Sequence, residues 1–189
     1  MTVGSVVGDR NKVIILDRDG TIVVDRHYLS DPEDLRFEPR AESGLRRMVD
    51  MGYRLVIVTN QSGIGRRLFS AGRLEEIHQR LRRMLEDNGT PVAAIYSCPH
   101  VPDDRCACRK PKLGLMTQAA ADLGFDMAKA IVIGDKDSDV EFGNRAGAVS
   151  ILIRPASDAA DSATAAPTYV VKDLAEAADV IGGLDRGAG

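Results

Sequence analysis

Two aspartates two residues apart carry the first chemistry this chain could do. They stand in Asp17-Arg18-Asp19-Gly20-Thr21, directly after the apolar run Val13-Ile14-Ile15-Leu16. Paired carboxylates at the tip of a buried strand are costly unless a cation or a strong hydrogen-bond network holds them. Asp-Gly is also a common turn after a strand, so this string alone reads either way. A second apolar run ends in Thr59-Asn60-Gln61-Ser62-Gly63, a hydroxyl and a row of loop amides suited to a phosphoryl group; a plain polar loop is the alternative. Further on come Arg109-Lys110-Pro111-Lys112 and then Gly134-Asp135-Lys136-Asp137-Ser138-Asp139. Lysines and a third acidic group after strand ends point to an anion site, with Lys110 and Lys136 facing the crevice that the carboxylates face.

The second chemistry is metal binding. Cys98-Pro99-His100, five residues, then Cys106-Ala107-Cys108 gather every cysteine of the chain within eleven residues. An odd, clustered set argues for a metal site over a disulfide framework. Three thiolates and an imidazole match a closed tetrahedral Zn²⁺ site, held by Cys98, His100, Cys106 and Cys108. The loop 98–108 runs straight into Arg109 and Lys110, so the expectation is that zinc stiffens the loop that presents both cations. The remaining histidines say less. His78 lies beside Leu74 and Leu81 and reads as a packing residue, and His27 reads equally as pocket lining or plain surface.

The elements that must position these residues follow from periodicity. Segments 13–16, 54–59, 93–97, 130–133 and 149–153 are short and almost purely apolar, as parallel strands covered on both faces are. Helical patterns fill 41–51, 73–88, 114–123, 140–146 and 174–181, with Ser70 as N-cap of the second and Asp173 with Glu176 starting the last. Alternating β and α elements predict an α/β fold, a doubly wound, Rossmann-like parallel sheet with right-handed crossovers. In such sheets ligands sit beyond the carboxyl ends of the strands, where all of these strings fall. The segment 155–167 reads as a surface loop and 183–189 as a frayed tail, leaving a single domain with its core over about 12–182.

The chain has 189 residues, 44% hydrophobic and 28% charged, which suits one globular domain. A net charge of −3, 4% aromatic residues and no tryptophan argue against nucleic acid as a partner. No apolar run approaches the ~18 residues that span a bilayer, so no membrane partner is expected. The first dozen residues lack a basic segment followed by an apolar one, so no secretory signal is read and a cytoplasmic location is expected.

Taken in order, the four strings resemble the motif set of the haloacid dehalogenase superfamily, in its phosphatase branch, over roughly residues 13–153. The resemblance implies Asp17 as nucleophile and Asp19 as general acid and base. It implies Mg²⁺ on the Asp17 carboxylate, the Asp19 backbone carbonyl and the Asp135 carboxylate, with Thr59 and Lys110 holding phosphoryl oxygens. Asp139 would orient a lysine rather than touch metal. A receiver domain also combines strand-end aspartates with a lysine, but Asp19-Gly20-Thr21 suits an acid/base phosphatase better. The spacings from Asp17 to Thr59 and from Asn60 to Cys98 leave no room for a cap domain.

Within the superfamily, Cys98-Pro99-His100 with Cys106-Ala107-Cys108-Arg109-Lys110-Pro111 resembles the histidinol-phosphatase and heptose-bisphosphate-phosphatase group. Thr59 to Ile64, Tyr28 and Gly134-Asp135-Lys136 are similar to the heptose side. That likeness implies sugar contacts from Asp25, Arg26, His27, Tyr28, Asn60, Gln61 and Ser62. It also implies a distal-phosphate contact from Arg109 and a substrate contact from Lys136. Two features depart from it: a short stretch between His100 and Cys106, as in histidinol phosphatases, and Gly65-Arg66-Arg67 in place of the more usual Ala-Arg-Gly. The function expected is Mg²⁺-dependent hydrolysis of the 7-phosphate of D-glycero-D-manno-heptose 1,7-bisphosphate by a monomer whose partner is a small phosphorylated sugar. The alternatives are a histidinol-phosphate phosphatase and a catalytically silent, zinc-stabilised binding module; the intact Asp17/Asp19 pair favours an enzyme.

Overall fold

The strand β1 (Val13–Leu16) is buried at every position, which is why its sequence carries no polar residue at either parity. Ile14 and Leu16 face one side of the sheet, and Val13 and Ile15 the other. The computed structural model describes residues 9–154 and 165–187. The surface-loop expectation for 155–167 therefore falls mostly outside the described residues, as does most of the leader reading.

Among the described residues six strands form one parallel sheet: β1, β2 (Arg54–Asn60), β3 (Val92–Cys98), β4 (Ile131–Gly134), β5 (Val149–Ile153) and β6 (Tyr169–Val171). Their order in space is β3-β2-β1-β4-β5-β6, the doubly wound arrangement expected from the sequence. Among the same residues, six α-helices accompany them: α1 (Ala41–Asp50), α2 (Ser62–Gly65), α3 (Ala71–Asp87), α4 (Gly114–Leu123), α5 (Asp137–Ala146) and α6 (Leu174–Gly187). Leu45 and Met48 of α1, Ile77 and Leu81 of α3 and Ile181 of α6 cover the face carrying Ile14 and Leu16. Met116 and Ala119 of α4 and Phe142 of α5 cover the other. No described segment forms a cap domain: between the first two motifs lie a 3-10 turn and α1, and between β2 and β3 only α2 and α3. No helix is long and apolar enough to cross a membrane among the described residues.

Three differences from the sequence reading have physical causes. The strand β6 was not expected, because three residues carry no readable alternation; its pairing with β5 (Ile153 beside Val171) defines it. The helix α5 starts at Asp137 rather than 140, since the Asp139 carboxylate caps the backbone N–H of Lys136 at 3.1 Å and winds the chain immediately after β4. The tail expected to fray from 183 is instead helical through Gly187. Asp185 accepts hydrogen bonds from Lys12 at 2.7 Å and from the Tyr53 hydroxyl at 2.8 Å, long-range partners that override two helix-weakening glycines. The expected caps form: Ser70 accepts from the Arg73 N–H at 3.1 Å, and Asp173 from the Glu176 N–H at 2.9 Å.

The helices α1 and α6 approach closely at Gly44, where an added Cβ would lie 2.4 Å from the backbone of Leu174. Alanine is the better helix former by about 1 kcal/mol, but here it would push two helices apart. Gly44→Ala is expected to destabilise the protein by about 1–3 kcal/mol, lowering Tm by roughly 2–10 °C in calorimetry.

Candidate active site

The order in which successive strands are added reverses between β1 and β4, and a cavity of about 270 Å³ opens at the carboxyl ends of the strands there. Asp17, Asp19, Gln61, Arg109, Lys110 and Lys136 line it together with the loop carrying Asp25, His27 and Tyr28. Four strings far apart in sequence thus meet in one crevice.

At its floor the Lys110 ammonium is buried between two carboxylates. It lies 2.8 Å from Asp17 Oδ1 and 2.7 Å from Asp139 Oδ1, and it donates to the Val58 carbonyl at 2.6 Å. Burial alone would push the Asp17 carboxyl up, but Lys110 and then Lys136 outweigh it and hold Asp17 below the ordinary carboxylate value. Lys110 is likewise held above its ordinary value, because Asp139 and Asp17 overcome the cost of its burial. Asp139 is pushed up, by burial before all else. Asp139 thus stands against the Lys110 ammonium from α5, not from Asp17's own strand.

Asp17, Asp135 and Asp139 bring carboxylate oxygens within 4.8 Å of one another. Burial pushes Asp135 up to about 7 despite Lys136. The Lys136 ammonium lies 3.4 Å from Asp135 Oδ2 and 3.5 Å from the Asp19 carbonyl oxygen, which makes this corner a cation seat. Hard oxygens from Asp17, Asp135 and the Asp19 backbone fit a small divalent cation, whereas Asp139 is committed to Lys110.

The loop Asp25–Tyr28 is wound tightly. Asp25 accepts from the His27 N–H at 2.9 Å and lies 3.4 Å from Lys136, and both His27 (φ 44°) and Tyr28 (φ 64°) occupy the left-handed region. That conformation strains both residues and turns the loop into the cavity wall. Arg26 is exposed and lies outside the cavity. Thr59 is almost fully buried and accepts from Gln61 at 2.9 Å; it does not line the cavity. Asn60 clasps the backbone of Lys110 from both sides, accepting from its N–H at 3.0 Å and donating to its carbonyl at 3.2 Å. Neither this clasp nor the burial of Arg18 was read from the sequence. An arginine between two motif aspartates was the available signal.

The cysteine loop converges as its spacing suggested. Cys98 Sγ lies 3.1 Å from Cys108 Sγ, 3.7 Å from Cys106 Sγ and 3.6 Å from His100 Nδ1. Ligands 2.3 Å from a tetrahedral centre would stand about 3.8 Å apart, close to these separations. Burial and the neighbouring Cys108 thiol push Cys98 up to about 12, so its thiolate needs a cation beside it. Gly65 allows the loop to sit close: its N–H donates to the Pro99 carbonyl at 2.9 Å, and a Cβ there would approach that oxygen to 2.8 Å. Arg67, in turn, adopts the left-handed backbone (φ 59°) that glycine takes without strain. Arg109 donates to the His100 carbonyl at 3.2 Å and so hangs from this loop into the cavity.

Comparison with known proteins fixes the family. A family model described as HAD-hydrolase-like matches residues 107–177. A probable D-glycero-D-manno-heptose-1,7-bisphosphate 7-phosphatase of Thermoplasma volcanium is 44% identical over 135 residues, covering 71% of this chain and 92% of that protein. The chain belongs to the heptose-bisphosphate-phosphatase family of HAD-like hydrolases. A D-glycero-beta-D-manno-heptose-1,7-bisphosphate 7-phosphatase of Helicobacter pylori strain J99 is 40% identical, covering 70% of this chain and 77% of the relative. The crystal structure of the D,D-heptose 1,7-bisphosphate phosphatase from B. bronchiseptica, complexed with magnesium and phosphate, superposes with a TM-score of 0.79 at 32% identity and covers 92% of this chain and 99% of that one. Membership makes this chain a phosphoric monoester hydrolase.

Lys110 is the only cation within 3 Å of both Asp17 and Asp139 among the described residues. Lys110→Met leaves two buried carboxylates facing each other, at a cost of about 3–5 kcal/mol near pH 7. Because protonation relieves that repulsion, the loss should shrink as pH falls towards 4. Thermal melts of chelator-treated protein at both pH values measure it.

Proposed function

We propose that this chain is a Mg²⁺-dependent phosphatase that removes the 7-phosphate of D-glycero-D-manno-heptose 1,7-bisphosphate and leaves the 1-phosphate. The observation that carries the reading is Asp17: a buried carboxylate held anionic by Lys110, at the floor of a cavity rimmed by Arg109, in a chain whose relatives bear that activity.

The geometry supports a division of labour. Asp17, ionised and pinned at one oxygen, attacks the phosphoryl group with the other, and a phosphoaspartate splits the hydrolysis into two easier displacements. Asp19 gives a proton to the departing sugar oxygen, then takes one from the water that frees phosphate. Lys110 offsets charge on the transferring group, and Thr59 stands below Gln61 in support. Asp17, Asp135 and the Asp19 carbonyl would hold Mg²⁺, which when bound supplies positive charge to the phosphoryl oxygens. A primary phosphate on the flexible end of a heptose reaches the floor of an uncapped crevice, while the anomeric phosphate stays at the rim by Arg109. Asp25, His27, Tyr28 and Ser62 line the cavity wall for the sugar. Asn60 and Gln61 serve the substrate through Lys110 and Asp19, to which their amides are bonded.

The test is phosphate release across sugar bisphosphates, sugar monophosphates and histidinol phosphate. Heptose 1,7-bisphosphate is expected to turn over fastest, and Asp17→Asn to abolish turnover in a folded protein. Arg109→Ala should lower kcat/KM for the bisphosphate by about ten- to a hundredfold, the worth of one charge-assisted contact, and spare slow monophosphate hydrolysis. Faster turnover of histidinol phosphate overturns the heptose assignment.

Cys98, His100, Cys106 and Cys108 would hold a structural Zn²⁺ that fixes Arg109 and Lys110 in place. Elemental analysis of freshly isolated, reduced protein is expected to find about one zinc per chain, the content of one four-ligand site. Cys106→Ser should weaken phosphate binding more than it lowers Tm.

A further inference from the structure

Arg18 is 1% exposed, among the largest fully buried side chains of the protein. Its guanidinium takes the Asp19 carboxylate in a fork, with Nε and Nη2 each 2.9–3.1 Å from both oxygens. From the other side Gln61, also buried, donates from Nε2 to Asp19 Oδ2 at 2.7 Å. The third guanidinium nitrogen, Nη1, is buried without a partner among the described residues. Beyond it, His78 on α3 offers no compensating charge. Burial, and after it the Arg18 charge, push His78 down to about 3, so the imidazole is neutral. Asp19 is thus the acidic group that offsets this guanidinium in the interior.

Packing gives no reason for that arrangement. A buried ion pair contributes little net stability, and an apolar side chain of similar volume fills such a position at no loss. Two buried donors aimed at one carboxylate do accomplish something else: they fix its direction. A group that must deliver a proton to one oxygen and later withdraw one from another gains most from fixed geometry, since displacement by about 1 Å costs on the order of a hundredfold.

We propose that Arg18, with Gln61, is a positioning residue for the acid and base steps of Asp19. The proposal rests on the phosphatase reading above and deepens it. In the first step the Asp17 oxygen bonds to phosphorus, the ester P–O bond breaks, and Asp19 supplies the proton to the departing oxygen. In the second, water oxygen bonds to phosphorus, the Asp17–phosphorus bond breaks, and the Asp19 carboxylate receives the proton of water. Misaligning Asp19 slows both steps for an alkyl phosphate. With 4-nitrophenyl phosphate it slows only the second, because nitrophenolate departs without a proton.

Rapid-mixing kinetics of Mg²⁺-loaded Arg18→Met read the difference. A first-turnover burst of nearly one nitrophenolate per site is expected, followed by a steady-state rate at least tenfold below wild type, with KM changed less than threefold. Single-turnover cleavage of an alkyl phosphate should slow at least tenfold. Arg18→Lys should recover part of the loss, and Gln61→Met should show the same pattern more weakly. These two variants decide the question if Arg18→Met fails to fold by circular dichroism. Equal losses on aryl and alkyl esters without a burst, or no loss on either, overturn the positioning role while leaving the phosphatase reading intact. Absence of phosphate release from wild-type protein overturns both.

Discussion

The buried ammonium of Lys110 is the interaction on which the rest of this molecule depends. It lies 2.8 Å from Asp17 at the end of β1, 2.7 Å from Asp139 in α5 and 2.6 Å from the Val58 carbonyl in β2. Three elements that share no local sequence are thereby tied to a fourth, the loop that carries Lys110. Without the ammonium the two carboxylates would be an uncompensated pair in the interior, and one of them would protonate. With it, Asp17 stays anionic. One side chain therefore closes the fold at its switch point and sets the charge state of Asp17.

Much of the surrounding architecture serves to keep that lysine in place. Asn60 clasps the Lys110 backbone on both sides, so the tip of β2 and the cationic loop move as one. The cysteine loop is pinned upstream, where Gly65 lets the Pro99 carbonyl approach, and downstream, where the Gly114 N–H meets the Ala107 carbonyl at 3.1 Å. A metal in the Cys98–Cys108 cluster would close a loop already brought to near-ligand separations, adding rigidity where entropy would otherwise blur two cations. A similar arrangement holds at Asp19, where Arg18 and Gln61 aim buried donors at one carboxylate. Both carboxylates of the first motif are thus held by cations, and both residues line the cavity.

The cavity wall follows a different rule. Asp25, His27 and Tyr28 are exposed and the backbone is strained at His27 and Tyr28, whereas Asp17 and Lys110 at the floor are buried. Burial fixes the charged groups of the floor, whereas solvent reaches the side chains of the Asp25–Tyr28 loop.

The sequence by itself determined the sheet and the carboxylates. Parallel strands buried on both faces must be apolar at every position, so Val13–Leu16 and Ile131–Ile133 announce themselves, and the polar strings after them mark the carboxyl edge. It also determined the cysteine cluster, since spacing alone brings four soft ligands within reach. What the chain's long-range contacts decided was invisible to any local rule. The helical tail depends on Asp185 meeting Lys12 and Tyr53, and β6 on finding an edge of β5. Whether Arg18 is a surface cation or a buried clamp, and whether Asn60 faces a sugar or a lysine backbone, turns on which neighbours arrive from other elements. Periodicity records which way a side chain points along its own strand or helix; only packing decides what it meets there.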